Sequence, residues 1–186
     1  MKTTKKLIKC LSTGVLMLMG ILSMGNTAFA EEMKISEFKD AAVRQAVMKE
    51  YFTGYDGDED FEVIETDDIK ELYIGFEHGI VKDLSGIEKL TKLEEIEICQ
   101  FAGSTASFYQ TGLKSVSVDN SDAATVSIDA PYITSFRFSS NGTVKLNMNI
   151  PRVTFLNLSG SKLASLEGFT QSIQAQLTEY YLEDTS

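Results

Sequence analysis

The 186-residue sequence has no tryptophan, one histidine, two cysteines and two prolines, and its 17 basic side chains are outnumbered by 27 acidic ones. Each shortage excludes something. A single histidine, His78, cannot supply a His-based triad or a zinc cluster, so a surface turn is the expected place for it. Cys10 falls in an N-terminal leader, which leaves Cys99 alone and rules out an internal disulfide; the fold must be held by burial. Without a base beside it, Cys99 reads as a passive, half-buried thiol at the end of a strand. Beyond the leader there is no second long apolar run, and the C-terminal stretch from Tyr180 to Ser186 is polar. A released or non-covalently held protein is therefore expected.

The leader is residues 1–30. Lys2, Lys5, Lys6 and Lys9 precede an apolar run from Val15 to Met24, and Ala28-Phe29-Ala30 closes it with small residues, the pattern of a secretory signal peptide. The run is shorter than the roughly 20 residues a permanent membrane helix needs. Cys10 does not suit lipidation, because Lys9 precedes it and the apolar run follows it. Residues 31–186 form one expected domain of 156 residues with net charge −14, since the leader removes four lysines and no acid. Such a charge argues against nucleic acid or an anionic membrane as partner, and its simplest role is solubility.

What the chain does have is a period. The pattern apolar-x-x-apolar-x-apolar occurs at Leu93, Ile96, Ile98; at Leu113, Val116, Val118; at Ile133, Phe136, Phe138; and at Val153, Leu156, Leu158, each 20 residues after the last. A fixed period of this length marks a solenoid of stacked units. A fifth copy, Ile69, Leu72, Ile74, stands 24 residues before Leu93. After it Val81, Leu84, Ile87 and Leu90 recur every three residues, as expected for tight or short helical turns across the back. In the middle units Val126, Ile128 and Leu146, Met148 alternate as strands do, so the back segment there is predicted to be extended. Pro131 and Pro151 then mark one corner in successive coils, where no ladder donor is needed.

Two segments flank the repeats. Residues 34–52 read as a helix with Asp40 as N-cap and an apolar stripe of Val43, Val47 and Tyr51, suited to covering the open end of the first unit. Ile173, Leu177, Tyr180 and Tyr181 fit one helical face with Ser172 as a cap, predicting a C-terminal helical cap over 170–186. Between the first helix and the repeats lies an acidic loop carrying Asp56, Asp58, Asp60, Glu62 and Asp67. Alternating carboxylates are how an EF-hand-like loop presents oxygens to calcium. Phe61 stands where that loop wants glycine, and Asp67 stands where it wants glutamate, so a solvated acidic turn is the competing reading.

Phe38, Asp40, Val43 and Arg44, the Asp56 loop, and the run from Ile69, Leu72 and Ile74 to Asp83-Leu84-Ser85-Gly86-Ile87-Glu88, Leu90, Thr91 and Leu93 together resemble secreted bacterial leucine-rich repeat proteins of the internalin-like kind. The likeness returns at Val153, Leu156, Leu158, Ser161, Leu163, Leu166 and Phe169. It implies an α/β solenoid: a right-handed leucine-rich repeat coil with a parallel β-sheet on its concave face, a helical cap with the acidic loop over 31–68, and about five short repeats over 69–169, whose partly extended back segments, read from the alternation above, are a departure from the family. The middle units depart from the family, whose repeats carry asparagine at a position occupied here by Phe101, Ser121, Asn141 and Ser161; only Asn141 keeps it.

Side chains between the inward ones point out onto the sheet. The predicted binding face is Glu71, Tyr73, Glu95, Glu97, Ser117, Asp119, Arg137, Phe155 and Asn157, with Cys99, Ser115, Ser135, Ser139 and Ser159 beside them. It runs from acidic through hydroxylated to Arg137 and Phe155. Exposed aromatics such as Tyr73 and Phe155 make good anchors. The resemblance implies a non-enzymatic module, expected as a monomer, that binds a protein or surface glycan and requires no cofactor, calcium aside; a structural or self-assembling surface protein is the alternative. A remote third reading is glycan cleavage by Glu95 and Glu97, about 7 Å apart on one strand face, although a single solenoid sheet offers no deep pocket.

Overall fold

The computed structural model describes residues 32–52, 62–170 and 177–182. The proposed signal peptide lies outside them. In chain order the strands are β1 (Glu32–Lys34), β2 (Val63–Glu65), β3 (Glu71–Ile74), β4 (Glu95–Ile98), β5 (Thr105–Phe108), β6 (Ser115–Ser121), β7 (Thr125–Asp129), β8 (Ser135–Ser140), β9 (Thr143–Asn149), β10 (Phe155–Asn157), β11 (Lys162–Glu167) and β12 (Glu179–Tyr181). One α-helix among the described residues, Ala41–Tyr51, stands near the N-terminus.

The chain forms a parallel-sheet solenoid of about five turns. The front sheet has six strands in the order β12-β10-β8-β6-β4-β3, and the back sheet four in the order β11-β9-β7-β5. Pairing follows the 20-residue period residue for residue: Ile96 lies beside Val116, Val116 beside Phe136, and Phe136 beside Leu156. The period is fixed by burial. Leu93, Leu113, Ile133 and Val153 are all fully buried, as are Val116, Val118, Phe136, Phe138, Leu156 and Leu158. A one-residue slip would turn each set out to water. Ala106, Val126 and Leu146 close the core from the back. Phe136 and Phe138 fill it in the fourth coil with rings stacked 6.4 Å apart.

The extended back segments inferred at 126–128 and 146–148 are present as β7 and β9. Two more occur at 105–108 and 162–167. β5 opens the back sheet, and β11 takes in Leu163 and Leu166 as a strand, with an irregularity between Leu163 and Ser165, and ends before Phe169. The helical-turn reading of the first back segment holds, as a short 3-10 turn over Ile87–Lys89. Pro131 and Pro151 occupy the same corner. Ile133 N–H donates to Ala130 O and Val153 N–H to Ile150 O, both at 3.2 Å, placing each proline at the second position of a tight turn, where its fixed φ fits.

The corner beyond the front strands differs from expectation. Asn141, the one asparagine at that repeat position, is exposed, not turned inward, and its Nδ2 donates to Asp122 Oδ1. Ser121 pairs with Ser140, so β6 carries one residue more than β8 between Val118 and Ser121. Asn120, at φ 51°, lies in that bulge, in a left-handed conformation asparagine tolerates better than most residues. Buried Ser121, Ser140 and Ser161 take the inward places. Ser161 Oγ donates to Phe138 O at 3.1 Å, and Ser121 Oγ accepts from Ala123 N–H.

The N-terminal cap is tied to the first coil through Asp40. Its Oδ1 accepts from Ala42 N–H at 2.8 Å, capping the helix, and its Oδ2 accepts from Lys82 N–H at 2.8 Å and Asp83 N–H at 3.3 Å. The helix starts seven residues later than 34, because Ile35–Glu37 forms a 3-10 turn and β1 pairs antiparallel with β2. Gly86, at φ 105°, lies under the cap; a side chain there would meet Glu37 O and Phe38 Cα at 2.9 Å.

The C-terminal helix is not found over the residues described. Glu179–Tyr181 forms strand β12, parallel to β10, with Leu156 beside Tyr180 and Asn157 beside Tyr181. Backbone pairing to an open sheet edge satisfies more donors and acceptors there than a last short helix would. Ser172 and Ile173 lie outside the described residues.

Candidate functional site

Strand register places the predicted front-face residues in two straight rows. One row is Glu71, Glu95, Ser115, Ser135, Phe155 and Glu179; the other is Tyr73, Glu97, Ser117, Arg137, Asn157 and Tyr181. Glu71 lies beside Glu95, and Tyr73 beside Glu97. With strands about 4.8 Å apart, six abreast make each row about 24 Å long. Tyr181 is a row member that sequence reading assigned to a helix. It lies 6.0 Å from Phe155, ring centre to ring centre.

Not every predicted contact residue is free to reach a ligand. Asp119 Oδ1 pairs with Arg137 Nε at 3.2 Å and accepts from Ser139 Oγ at 3.3 Å, so this acid and base partly neutralise each other. Asn157 Oδ1 accepts from Ser159 N–H. Cys99, only 8% exposed, is more buried than expected. The Tyr73 hydroxyl lies 3.5 Å from its sulfur. That hydrogen bond, with further repulsion from nearby acids, pushes the Tyr73 phenol up to about 12. Glu95 and Glu97 stand on the open sheet and line neither of the two cavities described below.

His78 stands in the surface turn after β3, but its ring is turned inward. Its side chain is 5% exposed, Nδ1 accepts from Gly75 N–H at 3.1 Å, and Nε2 is buried without a partner among the described residues. Burial foremost pushes its pKa down, against the pull of Glu77. The histidine therefore stays neutral and braces the turn after β3.

For the acidic loop, Asp56, Asp58 and Asp60 lie outside the described residues. Glu62 and Asp67 are described: Glu62 gives its carbonyl to Ile35 N–H, and Asp67 lies in a 3-10 turn, Thr66–Asp68. Among the described residues no three His, Cys, Asp or Glu side chains gather at one point.

Cavities open at two places among the described residues. One, of about 600 Å³, lies at the proline corner and is lined by Lys70, Lys92, Glu94, Gly112, Lys114 and Tyr132 together with Thr91, Thr111 and Thr134. The other, of about 340 Å³, lies over the back sheet around Tyr109, Asn147, Asn149 and Glu167. There Asn149 Nδ2 donates to Asp129 Oδ1 at 2.8 Å. Sequence reading passed over both, though the 20-residue step from Lys92 to Gly112, Tyr132 and Arg152 was open to view. No protein-family model matches the sequence, and neither a curated protein nor a solved structure matches it. The leucine-rich repeat resemblance therefore rests on the residue pattern alone.

Proposed function

We propose that the protein is a secreted, non-catalytic module of the leucine-rich repeat kind that holds a protein or a surface glycan on its front sheet. One observation carries the reading: the outward rows stay in register over six strands, with Tyr73 at one end, Phe155 and Tyr181 at the other, and acids and hydroxyls between them. Exposed Tyr73 and Tyr181 about 24 Å apart, with half-buried Phe155 one strand in from Tyr181, suit an extended partner, since large rings bury area with little loss of side-chain freedom. Release after signal cleavage, a right-handed coil and calcium at the Asp56 loop belong to the same proposal.

The test is capture of the mature protein's partner from arrays of surface glycans and surface proteins. Replacing Tyr73, Phe155 and Tyr181 together with alanine should weaken retention by about tenfold or more, as loss of hot-spot aromatics does. Unchanged retention would remove the front face from the account. A second reading, assembly of the solenoid through its last coil, is favoured by Tyr180: it pairs beside the core residue Leu156 yet is 65% exposed on an edge strand. Sedimentation separates the two. A mass that rises with concentration supports assembly, and a constant monomer mass removes it.

A further inference from the structure

The corner cavity stands apart from the front sheet, and its chemistry differs from that of the rest of the molecule. In a chain of net charge −14 after the leader, Lys70, Lys92 and Lys114 converge on one hollow. Only one acid, Glu94, is among the lining residues. It bonds Lys114 at 2.5 Å, and that bond, aided by the Lys70 charge, holds its carboxyl below the usual range. Lys70 and Lys92 have no ion-pair partner among the described residues, so the hollow keeps a positive excess.

The hollow exists because of one glycine. The turn positions stacked along this corner are Lys92, Gly112, Tyr132 and Arg152, each 20 residues after the last. Gly112 contributes no side chain, which leaves a gap between Lys92 and the Tyr132 ring. A Cβ there would meet Leu93 O at 3.3 Å, a tight contact relieved by a shift of a few tenths of an ångström, and Thr91 O at an ordinary 3.5 Å, so the gap can be filled experimentally at the cost of that small shift. Tyr132 is 51% exposed. The Arg152 guanidinium sits over its ring, 4.6 Å from the ring centre, and the ring lines the hollow.

We propose that this corner is a second binding site, for an anionic saccharide: a sugar chain bearing carboxylate or sulfate groups. The Tyr132 ring offers an apolar platform for the C–H face of a sugar ring, and the lysine ammonium groups take the acid groups. Thr91 and Thr111 border the hollow with hydroxyls suited to sugar hydroxyls. Coils repeat about every 4.8 Å along the corner, close to the length of one sugar unit, so successive lysines can meet successive units of one chain. A free acidic peptide lacks the sugar face that Tyr132 would cover, and a neutral sugar makes no use of the unpaired Lys70 and Lys92.

Titration calorimetry with the mature protein tests the site using four probes: a uronate oligosaccharide, a sulfated oligosaccharide, a neutral oligosaccharide of equal length, and polyglutamate. The expected result is binding of at least one of the two acidic sugars, weakening with salt. Tyr132→Ala, Lys92→Gln and Gly112→Gln should each lower it by about tenfold while leaving the circular dichroism spectrum and front-face capture unchanged. The uronate and sulfate arms tell which acid group is preferred. Absence of binding by both acidic sugars overturns the proposal. So does polyglutamate or the neutral sugar binding equally well, or affinity indifferent to Tyr132→Ala and Gly112→Gln.

Discussion

Removing the Asp40 carboxylate should loosen the N-terminal cap by an amount the hydrogen bonds allow to be worked out. One oxygen caps the helix through Ala42 N–H; the other takes Lys82 N–H and Asp83 N–H from the first back segment. Loss of an N-cap costs about 1 kcal/mol. Losing the second set would cost more if it were buried, but it is exposed, so water replaces much of it and about 1 kcal/mol is a fair net figure. Asp40→Ala should therefore lower stability by about 2 kcal/mol. Because Ala42, Val43, Ala46 and Val47 share one continuous core with the coils, the loss should appear in the global transition. Urea unfolding followed by circular dichroism measures it as a lower midpoint at unchanged slope. Asp40→Ser keeps the cap and drops the bridge to Lys82, so it should lose about half as much. A Ser variant as unstable as the Ala variant, or an Ala variant within about 0.5 kcal/mol of the parent, would refute the division of labour.

Other expectations concern His78 and Cys99. His78 has a lowered folded pKa, so the unfolded chain takes up a proton first as pH falls. Its contribution is full above the unfolded value of 6.5 and is lost as pH falls from there through the folded value. The parent should lose more stability between about pH 8 and pH 5.5 than His78→Gln does, and equal losses would contradict the buried neutral ring. The lowered carboxyls of Glu37, Asp83 and Glu94 act in a different window, below their ordinary values of 4.5 and 3.8. Cys99 should react slowly with an aromatic disulfide reagent and at least several-fold faster in Tyr73→Ala, since the Tyr73 hydroxyl lies against its sulfur; equal rates would show that the ring gives no cover.

Much of the architecture was legible because solenoid burial is periodic. The inward positions at the start of each front strand are apolar in every coil, so Leu93, Leu113, Ile133 and Val153 announce the stacking directly, and Asp40 announces the cap. The end of the chain was not legible. Tyr180 and Tyr181 suit a helical face by spacing and a sheet edge by residue type, and the available edge of β10 decides between them. Asn141 misled for a related reason: one extra residue at Asn120 shifts the next corner by one position, and a pattern aligned by period alone does not register a bulge. On the functional side, the front rows followed from strand alternation. The corner hollow did not, because its walls come from unlike residues in successive coils, Lys92, Gly112 and Tyr132, and acquire meaning only when stacked.

Everything proposed for the front face depends on the outward rows staying in register from β3 to β12. Spin labels at Glu71→Cys and Glu179→Cys, with Cys99→Ser to remove the native thiol, measure that directly by double electron–electron resonance. Five strand steps separate the two positions, so the expected result is a single narrow distance distribution near about 24 Å between backbones, widened only by the labels. A broad distribution, or a distance beyond about 35 Å, would contradict the aligned rows.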